Sequence, residues 1–253
     1  MTRAWSDHLD LLIRARTPIL WIRSPEEERV VALLDQAARR LGNRILLRWD
    51  FIEGLRGLPN RQGEAAHNPL SVLDSLKALP PDSAAILVLH DFHRYCDDAS
   101  VNRRLRNLSL SLRHHPHTLV ITAVEWKLPP ELEDAVTVLD LPLPREEEIR
   151  ALLESIAHAC GQHLDGEVLE QLTHCCSVLS EQRIRQVAAR GLARKGHLGP
   201  EDLNEVLEEK RQAIARSELL EYFPTQASPA DIGGLDALKH WLDQRHLAFG
   251  DEA

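Results

Sequence analysis

The sequence has little cysteine, no long apolar run and an excess of acidic residues. Four cysteines among 253 residues are too few for a disulfide framework, which indicates a reducing compartment. No apolar run approaches the roughly 18 residues of a membrane span. The start, MTRAWSDHLDLLIRAR, carries acids and lacks the small-residue cleavage site of a signal peptide. The formal charge of -9 argues against free nucleic acid and anionic membranes as partners. We therefore expect a cytoplasmic protein.

Five short apolar runs in the first 140 residues predict the strands of one sheet. Most of them are near-continuous rather than alternating, which is typical of strands covered on both faces. Helical patterns separate the first four runs. Strands alternating with helices predict an α/β fold with a five-stranded, mainly parallel sheet covered by helices. The runs are PILWIR, RILLRWD, AAILVLHDF, TLVITAV and VTVLDLP, and the helices are predicted at Pro25–Leu41, Pro69–Leu79 and Ser100–His114.

Capping residues mark where two of these helices begin. Ser24 stands at the N-cap position before Pro25, and Glu27 completes a capping box. Asp97 and Asp98 follow the third apolar run and are interpreted as the start of the next helix.

From Arg145 onward the pattern is helical only. In REEEIRALLESIAHAC, the apolar residues repeat at helical spacing on one face. EYFPTQASPAD has two prolines and no periodicity, which predicts a linker. We expect an α/β domain over 1–143, a small all-α subdomain over 144–220, a linker over 221–231 and the start of another module over 232–253; the later helices are predicted at 165–176, 180–195 and 200–220.

The order of these elements resembles an AAA+ nucleotide-binding module. AAILVLHDF stands where such modules place the acidic end of the Walker B strand. The sensor-1 strand and the turn after it are resembled by TLVITAVEWKLPPELEDAV. The final strand and the entry into the lid are resembled by VLDLPLPREEEIRALL, and the lid helix that carries sensor 2 by SVLSEQRIRQVAARGLARKG. ADIGGLDALKHWL is similar to the segment that opens a catalytic AAA module.

Over residues 8–248 the chain resembles the N-terminal region of the AAA ATPases of cyanobacteria and algal chloroplasts, the hypothetical chloroplast reading frame type. In such proteins a degenerate nucleotide-binding fold precedes an intact one. The resemblance implies a P-loop or AAA-like sheet, a lid-like helical subdomain, and a chain truncated just after it enters the catalytic module.

The sequence contains no G-x-x-x-x-G-K-[ST] phosphate loop. That loop needs glycines so that backbone N–H groups can wrap the phosphates, and a lysine to neutralise their charge. The first strand runs instead into RSPEEERV. There Pro25 removes an N–H donor, and Glu26, Glu27 and Glu28 place negative charge where phosphates would lie. ATP binding in the usual mode is therefore disfavoured.

Other catalytic groups also lack counterparts. HDF offers only Asp91 as a Walker B acid, and a strand-end acid that caps the next turn is the favoured interpretation. Glu125 is the only polar candidate near the sensor-1 position, and no loop supplies an arginine finger. We therefore expect that this chain is not an enzyme and holds no cofactor. The resemblance implies ATP and Mg²⁺ only for the missing catalytic module.

These observations favour a non-catalytic AAA domain that serves regulation, assembly or client contact. Its partners would be its own catalytic module, sister subunits or a protein client. Two alternatives remain open: a stand-alone adaptor, and a weak nucleotide-binding protein with a site between the carboxyl edge of the sheet and the lid. The candidate residues for that site are Ser24, Asp91 and Arg185, lined further by Thr17 and Arg23.

Clusters of histidine and cysteine are interpreted as structural, and no metal site is expected. Cys175 and Cys176 are adjacent, so on a helix their side chains point roughly 100° apart and form a poor chelating pair. The stretch HDFHRYCDD brings Asp91, His93 and Cys96 together in sequence. It supplies no nucleophile elbow, which argues against a hydrolytic triad.

Overall fold

The computed structural model describes residues 2–80, 82–125, 127–215 and 233–241. The chain divides into two compact units, Met1–Leu207 and Glu208–Ala253. In the second unit, residues 236–241 are helical. The predicted linker and most of the predicted start of another module lie outside the described residues. The first unit holds the sheet and most of the helical region.

A six-stranded sheet forms the centre of the first unit, in the order β3-β2-β4-β5-β1-β6. Every neighbouring pair is parallel except β2 and β3. The α/β prediction is therefore confirmed. The strand count differs from five because β3 is only three residues long, too short for a periodic pattern. The strands are β1 (Ile19–Arg23), β2 (Ile45–Asp50), β3 (Gly54–Arg56), β4 (Ala85–His90), β5 (His117–Ala123) and β6 (Val136–Asp140).

Eight α-helices lie in the described part of the first unit or begin there. The sequence analysis missed the first one, which packs buried Leu9 and Ile13 against the sheet. The helices are α1 (Thr2–Arg14), α2 (Glu27–Arg40), α3 (Pro69–Val72), α4 (Ala99–Leu112), α5 (Glu146–Ala159), α6 (Gly166–Cys176), α7 (Glu181–Lys195) and α8 (Leu203–Ala215). Short 3₁₀ turns occupy Pro59–Arg61, Ser75–Ala78, Phe92–Tyr95, Pro130–Ala135 and Pro200–Asp202.

Two helix predictions need correction. The second helix begins at Glu27 with Glu26 as N-cap, so Ser24 is not its cap and the predicted capping box is absent. The predicted helix over Pro69–Leu79 is a short α3 followed by a 3₁₀ turn. Three-residue spacing explains the change, because it puts Leu73, Leu76 and Leu79 on one buried face.

Alternate residues of β1 serve two different cores. Ile19 and Trp21 pack in a cluster on one face of the sheet, and Leu20 and Ile22 pack in a second cluster on the other. All four side chains are fully buried. Side chains of a strand alternate between faces, so a near-continuous apolar run requires cover on both. This arrangement confirms the interpretation of the apolar runs.

The helices from α5 onward enclose a core of their own, built around Ile149, Leu153 and Ile184. A buried carboxylate closes one side of it. Asp202 is 2% exposed and accepts hydrogen bonds from Lys195 Nζ (2.8 Å) and from the Gly199 amide (2.9 Å). Gly191, on the facing side of α7, leaves the space that this carboxylate fills.

Candidate functional site

The turn after β1 occupies the position where a phosphate loop would lie. Arg23 ends β1 and forms an ion pair with Asp140 at the end of β6 (2.6 Å). Ser24 is buried; its amide donates to the Ala123 carbonyl (3.0 Å), and its Oγ accepts from the Glu26 amide (3.0 Å). The turn is therefore fixed to β5 by its own hydrogen bonds.

Glu26 and Arg29 form a buried ion pair beneath this turn. Their exposed fractions are 6% and 7%, and Arg29 Nη1 lies 3.1 Å from Glu26 Oε2. The other carboxylate oxygen, Glu26 Oε1, accepts a hydrogen bond from the Glu181 amide (2.6 Å), at the first residue of α7. The carboxylate thus joins the start of α2 to the start of α7.

Arg29 extends this network into the segment that leads to α5. Its Nη1 donates to the Pro142 carbonyl (2.7 Å), and its Nη2 lies 3.4 Å from Glu148 Oε2. Its Nε lies 3.7 Å from Glu181 Oε2. Buried charges are tolerated when they are paired and hydrogen-bonded, as they are here. A single guanidinium therefore contacts the α/β domain and two helices of the helical region.

The cleft beside this network is small and acidic. It encloses about 270 Å³, and Pro25, Arg29 and Arg185 line it together with Glu26–Glu28 and Glu181–Gln182. Arg185 pairs with Glu181 (2.6 Å). Four carboxylates against two guanidiniums leave the lining with a net negative charge, which opposes a free anion.

A second, larger groove of about 880 Å³ lies over the ends of β2 and β4. His90 is buried at its floor, with Nδ1 3.0 Å from Thr122 Oγ1 and 3.4 Å from Glu27 Oε2. Burial lowers the pKa of His90, although the Glu27 carboxylate acts in the opposite direction. Arg48 and Arg94 also line the groove, and neither forms an ion pair within the described part of the chain.

The structure does not bring the three candidate site residues into one cavity. Arg185 lines the smaller cleft and Asp91 the larger groove, and neither lining includes Ser24. Thr17 precedes β1, at the opposite edge of the sheet. Asp91 adopts a left-handed conformation (φ 53°) before a 3₁₀ turn, and its carboxylate makes no capping hydrogen bond.

The sequence analysis named Glu26 only as a negative charge at the phosphate position and did not identify its partners. The spacing Glu26–Arg29 is a local signal for an i,i+3 pair. The contacts to Pro142, Glu148 and Glu181 join residues more than a hundred positions apart, and no sequence pattern reports them.

The stretch HDFHRYCDD supplies no activated cysteine nucleophile. Cys96 is buried, and burial raises its pKa to about 12, so its thiol stays protonated at neutral pH. His93 Nδ1 lies 3.9 Å from Asp91 Oδ1, beyond hydrogen-bond reach. Among the residues that the structure describes, no three His, Cys, Asp or Glu side chains are grouped to hold a metal ion.

Comparison with known families decides the affiliation. Residues 5–141 match the N-terminal domain of the SpoVK-like AAA ATPases, and residues 147–217 match the second domain of the same family. The chain belongs to the SpoVK-like AAA ATPases. Curated relatives agree: it is 38% identical to the "uncharacterized AAA domain-containing protein ycf46" of Guillardia theta, over 96% of this chain and 48% of the relative. Identity to the protein of that name from Trieres chinensis is 35%, over 98% and 50%.

Solved AAA+ structures share the fold of this SpoVK-like chain. The structure of C. elegans PCH-2 aligns with a TM-score of 0.56 at 14% identity, over 83% of this chain and 68% of that one. The Thermotoga maritima RuvB Holliday junction branch migration motor aligns with a TM-score of 0.55 at 12% identity, over 82% and 69%. At these identities the likeness concerns the fold alone.

Family membership corrects one expectation. The chain was expected not to be an enzyme, and that expectation is wrong: residues 5–141 and 147–217 both match domains of an AAA ATPase family. The chain spans about half the length of the curated relatives it matches. That the chain is truncated before a catalytic module stays a prediction. No helix among the described residues has the length and apolar character needed to span a bilayer.

Proposed function

We propose that this chain serves regulation, assembly or client contact within an AAA-family ATPase. The partners would be another module of that ATPase, sister subunits or a protein client.

The observation that supports the proposal is that the protein's own groups fill the position after β1 where a phosphate loop would lie. A phosphate needs free backbone N–H groups and unopposed positive charge. Here the Ser24–Glu26 turn is bonded to itself and to β5, and the Arg29 guanidinium is already committed to Glu26, Glu148 and Glu181. The same residues also join the turn to the start of α7.

Exposed apolar side chains support a contact role. Val124 follows β5 and Leu143 follows β6, and they are 60% and 46% exposed. Val178 precedes α7, is 72% exposed and has φ of 72°, a conformation that strains a β-branched residue. All three lie next to elements that end or begin near the turn after β1. Exposed apolar residues are expected where another protein surface docks.

The proposal is tested by titrating the purified chain into the half of a curated algal relative that this chain does not match. We expect saturable binding and a change in the ATPase rate of that half. The variant Val124→Asp should weaken the binding, and Leu110→Asp, at an equally exposed position on α4, should not. The proposal would be contradicted if the chain neither bound that half, nor changed its ATPase rate, nor associated with itself.

A second measurement concerns nucleotide. Calorimetry of this chain with MgATP and MgADP, at protein concentrations suited to a millimolar ligand, should show no one-to-one binding. Ligand at 100 times its Kd would stabilise the fold by about 2.7 kcal/mol, so a thermal shift provides an independent check. Clear stoichiometric binding would contradict this expectation and would favour the alternative of a weak nucleotide-binding protein.

A further inference from the structure

The partners of the Glu26 carboxylate are those of a bound oxyanion. One oxygen accepts from a backbone amide at the N-terminus of the 15-residue helix α7, and the other faces the Arg29 guanidinium. Helix N-termini and arginine forks are the groups with which proteins recognise phosphate and carboxylate ligands. Both carboxylate oxygens are therefore held as a ligand would be held.

Burial shows that the carboxylate is built into this position. The side chains of Glu26 and Arg29 are 5% and 6% exposed, whereas neighbouring Glu27 is 51% exposed and Glu28 is also exposed. Three acidic residues follow one another, yet only one points inward. The contacts of this one side chain and its arginine connect the β1–α2 turn with Pro142 and with the starts of α5 and α7.

We propose that the space between the β1–α2 turn and the start of α7 is an oxyanion-binding site whose resident ligand is the protein's own Glu26 carboxylate. The covalent link keeps that ligand at a high effective concentration, so a free anion cannot displace it. Glu26 thereby joins the start of α7 to the β1–α2 turn. The site would exist whether or not the chain regulates an ATPase.

The proposal predicts that removing the carboxylate creates a vacancy for a small free oxyanion. In Glu26→Ala, the Glu181 amide and Arg29 lose a shared partner. Hydrogen bonds to charged groups are strong enough that exchange of the Glu181 amide should become roughly 10- to 100-fold faster. Glu28→Ala, which removes an exposed carboxylate from the same turn, should leave that exchange unchanged.

Acetate is the matched probe, because it restores the deleted group. Thermal unfolding is measured in sodium acetate and in sodium chloride at equal ionic strength, at pH 7. Acetate should raise the Tm of Glu26→Ala relative to chloride and partly restore protection of the Glu181 amide. It should do neither for the wild-type chain or for Glu28→Ala.

Two results would overturn the proposal. One is a rate of Glu181 amide exchange in Glu26→Ala that equals the wild-type rate. The other is an acetate effect on the Tm that is equal for the wild-type chain, Glu26→Ala and Glu28→Ala. If Glu26→Ala does not fold, the near-isosteric Glu26→Gln replaces it. That variant keeps the shape but loses the charge, so Glu181 exchange should be faster than in the wild-type chain. An unchanged rate there would show that the site does not require an anion.

Discussion

Replacing Gly191 by alanine tests the buried carboxylate of the helical region. A Cβ at Gly191 would lie 2.6 Å from Asp202 Oδ1 and 3.0 Å from its Cγ, closer than side chains approach one another. Asp202 would have to move away from Lys195 and from the Gly199 amide. The substitution therefore sets a gain in helix propensity against the loss of buried hydrogen bonds.

The relative sizes of these two effects decide whether Gly191→Ala stabilises or destabilises the protein. Alanine in place of glycine inside a helix stabilises by about 1 kcal/mol. The two bonds to the Asp202 carboxylate are charge-assisted, and weakening each costs about 1.5–3 kcal/mol because Asp202 is buried. We expect Gly191→Ala to lower the free energy of unfolding by about 2–5 kcal/mol, measured by urea denaturation followed by circular dichroism.

Two comparisons sharpen the result. Gly166→Ala, at the first residue of α6 where a Cβ meets no atom within 4 Å, should be neutral or slightly stabilising. In an Asp202→Ala background the obstacle is gone, so Gly191→Ala should become stabilising. A Gly191→Ala protein as stable as the wild-type chain, or more stable, would refute the reasoning.

Three further predictions concern single side chains. Burial lowers the pKa of His90 in the folded state, so its contribution to stability is complete above the unfolded pKa near 6.5 and is lost as the pH falls through that value. Urea unfolding between pH 7 and 5 should therefore show the free energy of unfolding declining by at most about 1.4 kcal/mol per pH unit. His90→Gln should reduce that decline. Cys96 should resist thiol reagents in the folded protein while exposed Cys160 reacts, and mass spectrometry showing equal labelling would contradict this. Asp98→Ala should destabilise by about 1 kcal/mol, because Asp98 caps α4 by accepting from the Ser100 and Val101 amides; urea unfolding no different from that of the wild-type chain would count against that cap.

The sequence predicted the sheet because burial on both faces leaves a local pattern. β4 and β5 are buried along their whole length, and their sequences, AILVLH and HTLVITA, are correspondingly apolar except for histidine and threonine. The cap at Asp98 was predictable for the same reason, since it acts on amides two and three residues away. The 3₁₀ turn after α3 was not predictable, because the three-residue spacing of its apolar side chains also fits an α-helix.

The contacts of the site were not predictable from sequence. In the sequence, Glu26 is one of three consecutive acidic residues, and only the fold places the start of α7 in contact with it. Nothing local distinguishes the buried Glu26 from the exposed Glu27 and Glu28. Ser24 was assigned to the following helix, whereas its hydroxyl holds the turn itself. Tertiary contacts decided each of these roles.

The position of β1 has a consequence for biosynthesis. It is synthesised before the other five strands of the sheet, yet Ile19 pairs with Leu119 on one side and Val136 on the other. One edge of this apolar strand stays open until β5 has been translated, and the other until β6 has been translated. Unpaired strand edges invite association between nascent chains. Because β1 pairs with strands about a hundred residues later in the chain, closing these loops is expected to slow folding.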